Sequence, residues 1–395
     1  MLESIHIKNF RSCDDISLRL GSPLVALVGK NGAGKTNLLH AIQLTAELCV
    51  GESDPVFHVA SKVISEPAEF ELEFSVADKR FSYRTARTLP VARTPVYRES
   101  LAIRSSTGMQ WLYKRDGDSL VAERTSFADQ LRIGPGASAL SALLQVLPQS
   151  DAIYGMLAPV SAYLRAIRYY SLLQGFQEHA MERETSLIEQ GRYQAWKTSL
   201  AQGKPTRSVQ MRLLHMFLES KDRFDELRKL LGGNGLGLLS DIHIDTVSLP
   251  TSSKTEESSR LAYSIAFSPG EALAGAGSRF RVWGLSAGTL RVLQILTSLV
   301  FDESSCMLIE QPEDCIHSGL LARVVDILKA YAHKSQLIWT THSPRVMNLV
   351  GPEGIRLVTA SAGTTYVSEL TEPELSAAQA YLADEGTLAE FLDTL

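Results

Sequence analysis

The chain has no paired-cysteine framework, no membrane-length apolar run and no excess of positive charge, and each absence excludes a class of function. Its four cysteines, Cys13, Cys49, Cys306 and Cys315, form no C-x-x-C pair. That spacing argues against zinc-ribbon and dithiol redox sites and fits reduced thiols in a cytoplasmic protein. No stretch reaches about 18 uncharged apolar residues. The best candidate, 282–301, is broken by Arg291 and Gln294. The opening MLESIHIKNF carries charge from residue 3 and has no apolar signal core. A soluble, cytoplasmic chain without a membrane partner is expected. A net charge of -5 argues against coating nucleic acid by bulk attraction. Internal repeats and low-complexity tracts are also missing.

What is present is a large apolar fraction, 45% of 395 residues. That is enough for a sizeable core in one large domain or two to three ordinary ones. Residues 3–8 and 16–20 alternate apolar and polar, as half-solvated strands do. Residues 23–28 (PLVALV) are continuously apolar, as a strand buried on both faces reads, and a helix is expected over 35–50. From 67 to 125 several strand-like runs separated by turn signals predict an antiparallel sheet. From 138 to 232 the spacing turns helical, with a strand expected at 168–172. Strands return at 241–248, 261–267 and 279–283. After a helix at 286–301, apolar strands at 306–309, 337–341 and 355–359 alternate with helices, which predicts a mainly parallel sheet covered on both faces. The expected domains are 1–135, a helical insertion at 136–238, and 239–395.

Four motifs fall on this frame. Gly29-Lys30-Asn31-Gly32-Ala33-Gly34-Lys35-Thr36 fits G-x-x-x-x-G-K-[ST] between a buried strand and a helix. Glycines let successive N–H groups face anionic oxygens, and the helix N-terminus adds positive potential. Lys35 is expected on the β- and γ-phosphates of ATP, and Thr36 on Mg²⁺. Cys306-Met307-Leu308-Ile309-Glu310 places a carboxylate at the end of an apolar strand, where Glu310 would help hold the metal. Leu337 to Pro344 (LIWTTHSP) delivers His342 at the end of another strand, with Ser343 and Pro344 starting a helix. Leu285-Ser286-Ala287-Gly288-Thr289 opens a further helix, with Ser286 as N-cap and a second anion site at its first N–H groups.

Together these resemble the ABC class of P-loop ATPases: an α/β head of mixed or parallel sheet with helices, an antiparallel β-subdomain and a helical insertion. Ile7-Lys8-Asn9-Phe10-Arg11-Ser12, Pro312-Glu313, His317 and Thr341-His342-Ser343-Pro344 resemble the RecF, SMC and OLD branch more than membrane transporters. The resemblance covers about 1–50 and 280–350. It implies nucleotide contacts from Gly29, Asn31, Gly32, Ala33, Gly34, Lys35, Thr36 and Arg11. It implies that Ser286 and Gly288 close over the γ-phosphate held by a second copy, giving a homodimer or higher homo-oligomer around sandwiched ATP. His342 matches the switch histidine that senses the γ-phosphate. Gln311 stands where the family carries a general-base glutamate, and an amide cannot accept a proton at neutral pH. Hydrolysis is therefore expected to be slow while binding survives. The chain is either a hydrolysis-poor member by nature or carries a Glu→Gln exchange made to trap the ATP state, which the otherwise intact motifs favour.

Many stand-alone ATPases of this branch belong to anti-phage modules, and the resemblance implies a similar role here beside a nuclease or toxin. Residues 351–395 are shorter than the nuclease domain that OLD proteins append, so a separate effector chain is expected. The alternative is a DNA-binding ATPase of repair or chromosome maintenance. Residues 78–124 hold ten Lys/Arg (Lys79, Arg80, Arg84, Arg87, Arg93, Arg98, Arg104, Lys114, Arg115, Arg124) against five acids. They read equally as a DNA-facing lobe or as a solvated sheet face.

Overall fold

The computed structural model describes residues 1–51, 63, 66–88, 96–106, 108–122, 131–134, 137–171, 187–201, 208–249, 260–270, 279–383 and 386–392. The expected break at 203–205, Arg93 and Arg124 lie outside them. The chain forms two compact units. The first comprises Met1–Tyr169, Ser304–Pro312 and Lys329–Leu395, the second Tyr170–Glu303 and Glu313–Leu328.

In the first unit, strands β1 (Leu2–Phe10), β2 (Cys13–Arg19) and β3 (Leu24–Val28) lead into α1 (Lys35–Val50). Then come β4 (Ala68–Val76), β5 (Lys79–Arg87), β6 (Tyr97–Ser105), β7 (Gly108–Asp116) and β8 (Ser119–Ala122). These form one seven-stranded antiparallel sheet in the order β2-β1-β4-β5-β6-β7-β8. On β4, Ala68, Phe70, Leu72 and Phe74 are buried while Glu69, Glu71 and Glu73 alternate outward. That period of two is what the sequence displayed.

Helices α2 (Ala139–Val146) and α3 (Ala152–Arg165) pack on α1 and precede β9 (Ile167–Tyr170). A six-stranded sheet carries the order β16-β15-β3-β14-β13-β9, with β13 (Cys306–Glu310), β14 (Gln336–Thr341), β15 (Ile355–Ser361) and β16 (Thr364–Ser368). Strands β13, β14, β3 and β15 run parallel. Every residue of Val25–Val28, Cys306–Ile309 and Leu337–Thr341 is buried, as continuous apolar runs in a covered parallel sheet should be. Each Val, Leu or Ile buried this way contributes about 1.5–3 kcal/mol. The strand expected at 168–172 inside the helical block is found at Ile167–Tyr170, an edge of this sheet beside β13; Leu172 lies outside the described residues. The strand's neighbour is distant in sequence, so local spacing could not reveal the pairing. Helix α1 buries Leu38, Leu39, Ile42, Ala46 and Cys49 along one stripe and stops at Gly51, whose φ of 73° is a left-handed C-cap.

The second unit contains β10 (Ile188–Glu189), α4 (Gln190–Ala201), α5 (Val209–Glu219), α6 (Lys221–Leu231), β11 (Leu239–Leu249), β12 (Arg260–Pro269) and α7 (Ala287–Phe301). Its three strands pair in the order β10-β12-β11. Buried Arg212 of α5 donates to the Ser298 hydroxyl at 2.8 Å and pairs with Asp302 at 3.2 Å, tying α5 to the end of α7. The strand expected at 279–283 is not one. Phe280 makes an isolated bridge to Phe267, and Val282–Gly284 is a 3-10 turn that delivers Ser286 to its cap. α8 (Ser318–Tyr331), α9 (Pro344–Val350), α10 (Glu372–Ala383) and α11 (Leu388–Leu392) complete the described helices. Among the described residues no helix is long and apolar enough to cross a membrane.

Candidate functional site

Register assembles the first half of the site. Parallel pairing sets Thr341 opposite Val28, and Glu310 opposite Thr340. The C-terminal ends of β3, β14 and β13 therefore present Gly29, His342 and Gln311 side by side, the usual place for ligand groups in an open α/β sheet.

The loop after β3 holds its shape through its glycines. Gly32 has φ 80° and Gly34 φ 101°, both left-handed. A Cβ at Gly29 would sit 2.0 Å from the Val358 carbonyl oxygen, and one at Gly34 2.0 Å from Thr365 Oγ1. Asn31, Gly32, Ala33, Gly34, Lys35, Thr36, Asn37, Gln311 and Thr340 line a cavity of about 340 Å³. Small-ligand sites run from about 300 to 1,000 Å³. Lys35 is 7% exposed and donates to the carbonyls of Gly29 (2.6 Å) and Lys30 (3.0 Å), which puts its ammonium under the loop.

Thr36 Oγ1 donates to Glu310 Oε1 at 2.5 Å. A hydroxyl and a carboxylate oxygen are hard donors, the kind Mg²⁺ takes together with phosphate oxygens and water. The two residues expected to hold the metal fit one. Gln311 has φ 43°, a left-handed backbone that costs a non-glycine residue about 1–2 kcal/mol. Its N–H holds Thr340 O at 3.2 Å and Thr340 Oγ1 at 3.1 Å, and its Nε2 lies 2.9 Å from His342 Nδ1. Ser343 occupies the cap position of α9 without a side-chain bond to that helix, and Pro344 is at its first position.

Arg11 stands on a tight turn in which Asn9 (φ 54°) and Arg11 (φ 52°) are both left-handed. The Asn9 amide donates to the carbonyls of Val63, Glu66 and Pro67 and fixes the turn. Arg11 reaches α1, donating to Asn37 Oδ1 at 3.2 Å and contacting His40 Nδ1 at 2.5 Å. Burial presses its guanidinium below the ordinary value while Tyr169 acts against that.

Three contributors were missed from sequence. Tyr169 donates to Glu310 Oε2 at 2.8 Å. Thr365 donates to the Ala33 carbonyl at 3.0 Å and shares a 2.7 Å hydrogen bond with Ser12 Oγ, which also accepts from Asn37 at 2.8 Å. His40 joins Arg11 to the Tyr169 ring. Thr365 had a readable signal: Ala362 (φ 50°) and Gly363 (φ 79°) make a two-residue hairpin turn, so β16 follows β15 directly.

Ser286 and Gly288 belong to the second unit. Ser286 caps α7, accepting from Thr289 N at 3.2 Å, and is exposed. Gly288 lets the chain at 315 approach, since a Cβ there would meet the Cys315 carbonyl oxygen at 2.4 Å. His317 accepts from Gly319 N at 3.2 Å at the start of α8.

The basic stretch on β5–β7 is largely paired. Arg84 meets Glu71 at 2.7 Å, Arg104 meets Glu73 at 2.6 Å, Arg98 meets Glu69 at 3.7 Å and Arg80 meets Glu3 at 3.4 Å. Arg87 and Arg115 are buried around Glu99. Tyr83 and Tyr113 are core residues, and Trp111 lies under Lys114 at 4.3 Å.

Residues 1–71 match the family described as "AAA ATPase domain", and residues 212–348 match "AAA domain, putative AbiEii toxin, Type IV TA system". An OLD nuclease of Thermus scotoductus is 59% identical over 44 residues, 11% of this chain and 8% of that protein. The DNA replication and repair protein RecF of Leptospira biflexa is 49% identical over 47 residues, covering 12% of this chain and 13% of RecF. The chain thus aligns with only a small fraction of these relatives' lengths. A crystal structure of an Smc head bound to the C-winged helix domain of ScpA shares the fold at 15% identity, with a TM-score of 0.53 over 95% of this chain and 99% of that one. The two partial family matches and these partial relatives support an ABC-class ATPase of the RecF, SMC and OLD-like type, and the Smc head adds a shared fold.

Proposed function

We propose that the protein binds Mg·ATP in the cavity under Gly29–Thr36 and uses it to join two copies, each lending Ser286 and Gly288 to the nucleotide held by the other. The observation that carries this is the 2.5 Å contact between Thr36 Oγ1 and Glu310 Oε1 at the edge of a glycine-built cavity. Loop N–H groups and Lys35 would bind the β- and γ-phosphates, and Arg11 would add a cation beside them. Mg²⁺, held by Thr36 and Glu310, would neutralise charge on the transferred phosphoryl group. Gln311 can orient a water but not take its proton, so turnover is slow and the ATP-bound dimer long-lived. His342, held against Gln311, would report the γ-phosphate. An exposed Ser286 suits a surface meant for a second copy. The domain division 1–135, 136–238 and 239–395 remains our proposal for how lobes and insertion share these tasks.

The dimer would gate a separate effector, a nuclease or toxin of anti-phage defence. A ligand shifts such an equilibrium only by its different affinity for the two states, and the sandwich supplies that difference. The toxin-named family and the OLD relative support this reading. The RecF matches favour a second one, a DNA-binding ATPase of repair. Ion pairing across β4–β6 weakens it, because paired arginines release few counterions on meeting phosphate.

Nucleotide retention tests the first step: Lys35→Ala should abolish it, and undiminished retention would contradict the site. A salt titration of DNA binding separates the two roles. Steeply salt-dependent binding by the isolated protein supports repair, whereas no binding together with co-purification of a neighbouring gene's nuclease or toxin supports defence.

A further inference from the structure

Tyr169 ends the first segment of the first unit and sits on β9, the strand beside β13. It is 4% exposed. Its hydroxyl donates to Glu310 Oε2 at 2.8 Å, while Thr36 donates to Oε1 at 2.5 Å. The carboxylate is therefore held from both sides, each oxygen with its own donor. This restraint has a job, because the terminal torsion of a glutamate is broad and two-fold, with little intrinsic preference. Without a donor on Oε2 the carboxylate plane is free to turn, and Oε1 loses its alignment with Thr36. The donor is itself braced. The His40 ring meets the Tyr169 ring edge-on with centroids 5.0 Å apart, and His40 Nδ1 is 2.5 Å from Arg11.

We propose that Tyr169 is a positioning residue for the divalent cation: by anchoring Glu310 Oε2 it turns Oε1 toward Thr36 and so sets how tightly Mg²⁺ is taken up with the nucleotide. The proposal rests on the Mg·ATP reading above and adds a residue to it. A partner hydrogen-bonded behind a metal-binding carboxylate raises affinity without touching the metal. The hydroxyl alone is responsible, so phenylalanine, which keeps the ring against His40, isolates it.

The test is retention of radiolabelled ATP on the full chain, at fixed subsaturating ATP, first in EDTA and then along a MgCl₂ titration. Tyr169→Phe should retain ATP in EDTA as the parent does but need on the order of tenfold more Mg²⁺ to reach half effect. In a Glu310→Gln background, adding Tyr169→Phe should move the midpoint no further, because the effect runs through that carboxylate. An unchanged midpoint in Tyr169→Phe overturns the proposal while leaving the nucleotide site standing. An equal shift in both backgrounds also overturns it, since Tyr169 would then act elsewhere. If the parent's ATP retention ignores Mg²⁺ altogether, both the proposal and the metal reading fall. Should the Phe chain not fold, Tyr169→Met, which fills the site without a donor, carries the same comparison: it should need the same roughly tenfold more Mg²⁺, and the parent's midpoint there would overturn the role of the hydrogen bond.

Discussion

Replacing Gln311 by glutamate is the sharpest perturbation of the chemistry. The exchange is isosteric, and the backbone that must accept it is already held left-handed at φ 43° by two bonds to Thr340. The side chain lines the loop cavity and contacts His342 at 2.9 Å. Packing and backbone therefore should not change, and the exposed new contact with His342 is worth at most about 1 kcal/mol. What changes is the ability to accept a proton from a water beside the γ-phosphate. A positioned general base supplies about 10²–10⁴-fold in rate. Phosphate release at saturating Mg·ATP should thus rise by on the order of 10²-fold or more, with ATP affinity altered by less than about threefold. Turnover within about twofold of the parent, with ATP still bound, would refute Gln311 as the block.

Further outcomes follow from single contacts. Gly34→Ala combines a φ of 101° with a Cβ 2.0 Å from Thr365 Oγ1, so it should cost about 2 kcal/mol or more locally and abolish ATP retention in a filter assay. Ser286→Arg removes the cap of α7 and should lower stability by only about 1 kcal/mol, leaving the chain folded, yet keep it at single-copy mass by light scattering with ATP. Gln336 ties β14 to the start of the chain, accepting from Leu2 N at 2.7 Å and donating to the carbonyls of Leu2, Leu20 and Ser22. Gln336→Leu strands these buried groups and should lower stability by about 3 kcal/mol in urea unfolding. Cys315 is the exposed thiol, whereas Cys13, Cys49 and Cys306 are buried, and burial pushes the thiols of Cys49 and Cys306 up. Alkylation mapped by mass spectrometry should fall on Cys315 alone in the native protein, and Mg·ATP should slow it as a second copy closes over the neighbouring Gly288.

Much of the core was legible because it follows local rules. The glycine-lysine loop, the apolar run into Glu310 and the strand into His342 each announce their element by period and punctuation. Parallel register then does the rest, since strands of matched length ending in loops bring their C-terminal residues together. What escaped reading depends on distant pairing. Tyr169 reads as part of a strand inside a helical block, but its role stayed hidden because the carboxylate it bonds, Glu310, lies about 140 residues downstream on the neighbouring strand. Ion pairs hid in the same way: the arginines of 78–124 look like surplus charge until the antiparallel sheet sets them beside β4, whose glutamates precede that stretch. The false strand at 279–283 had the right alternation, but the chain there must turn to place Ser286 at the head of α7.

The account stands on nucleotide shared between copies, and mixing two disabled variants tests that directly. Lys35→Ala lacks the phosphate grip and Ser286→Arg lacks the opposing cap, so each alone with Mg·ATP should remain near the 43.3 kDa chain mass in light scattering. Mixed in equal amounts they can build one complete site across the chain boundary, and a species of twice that mass should appear only when ATP is present. A parent chain that binds ATP yet never leaves single-copy mass, or a mixture that never pairs, would contradict the account.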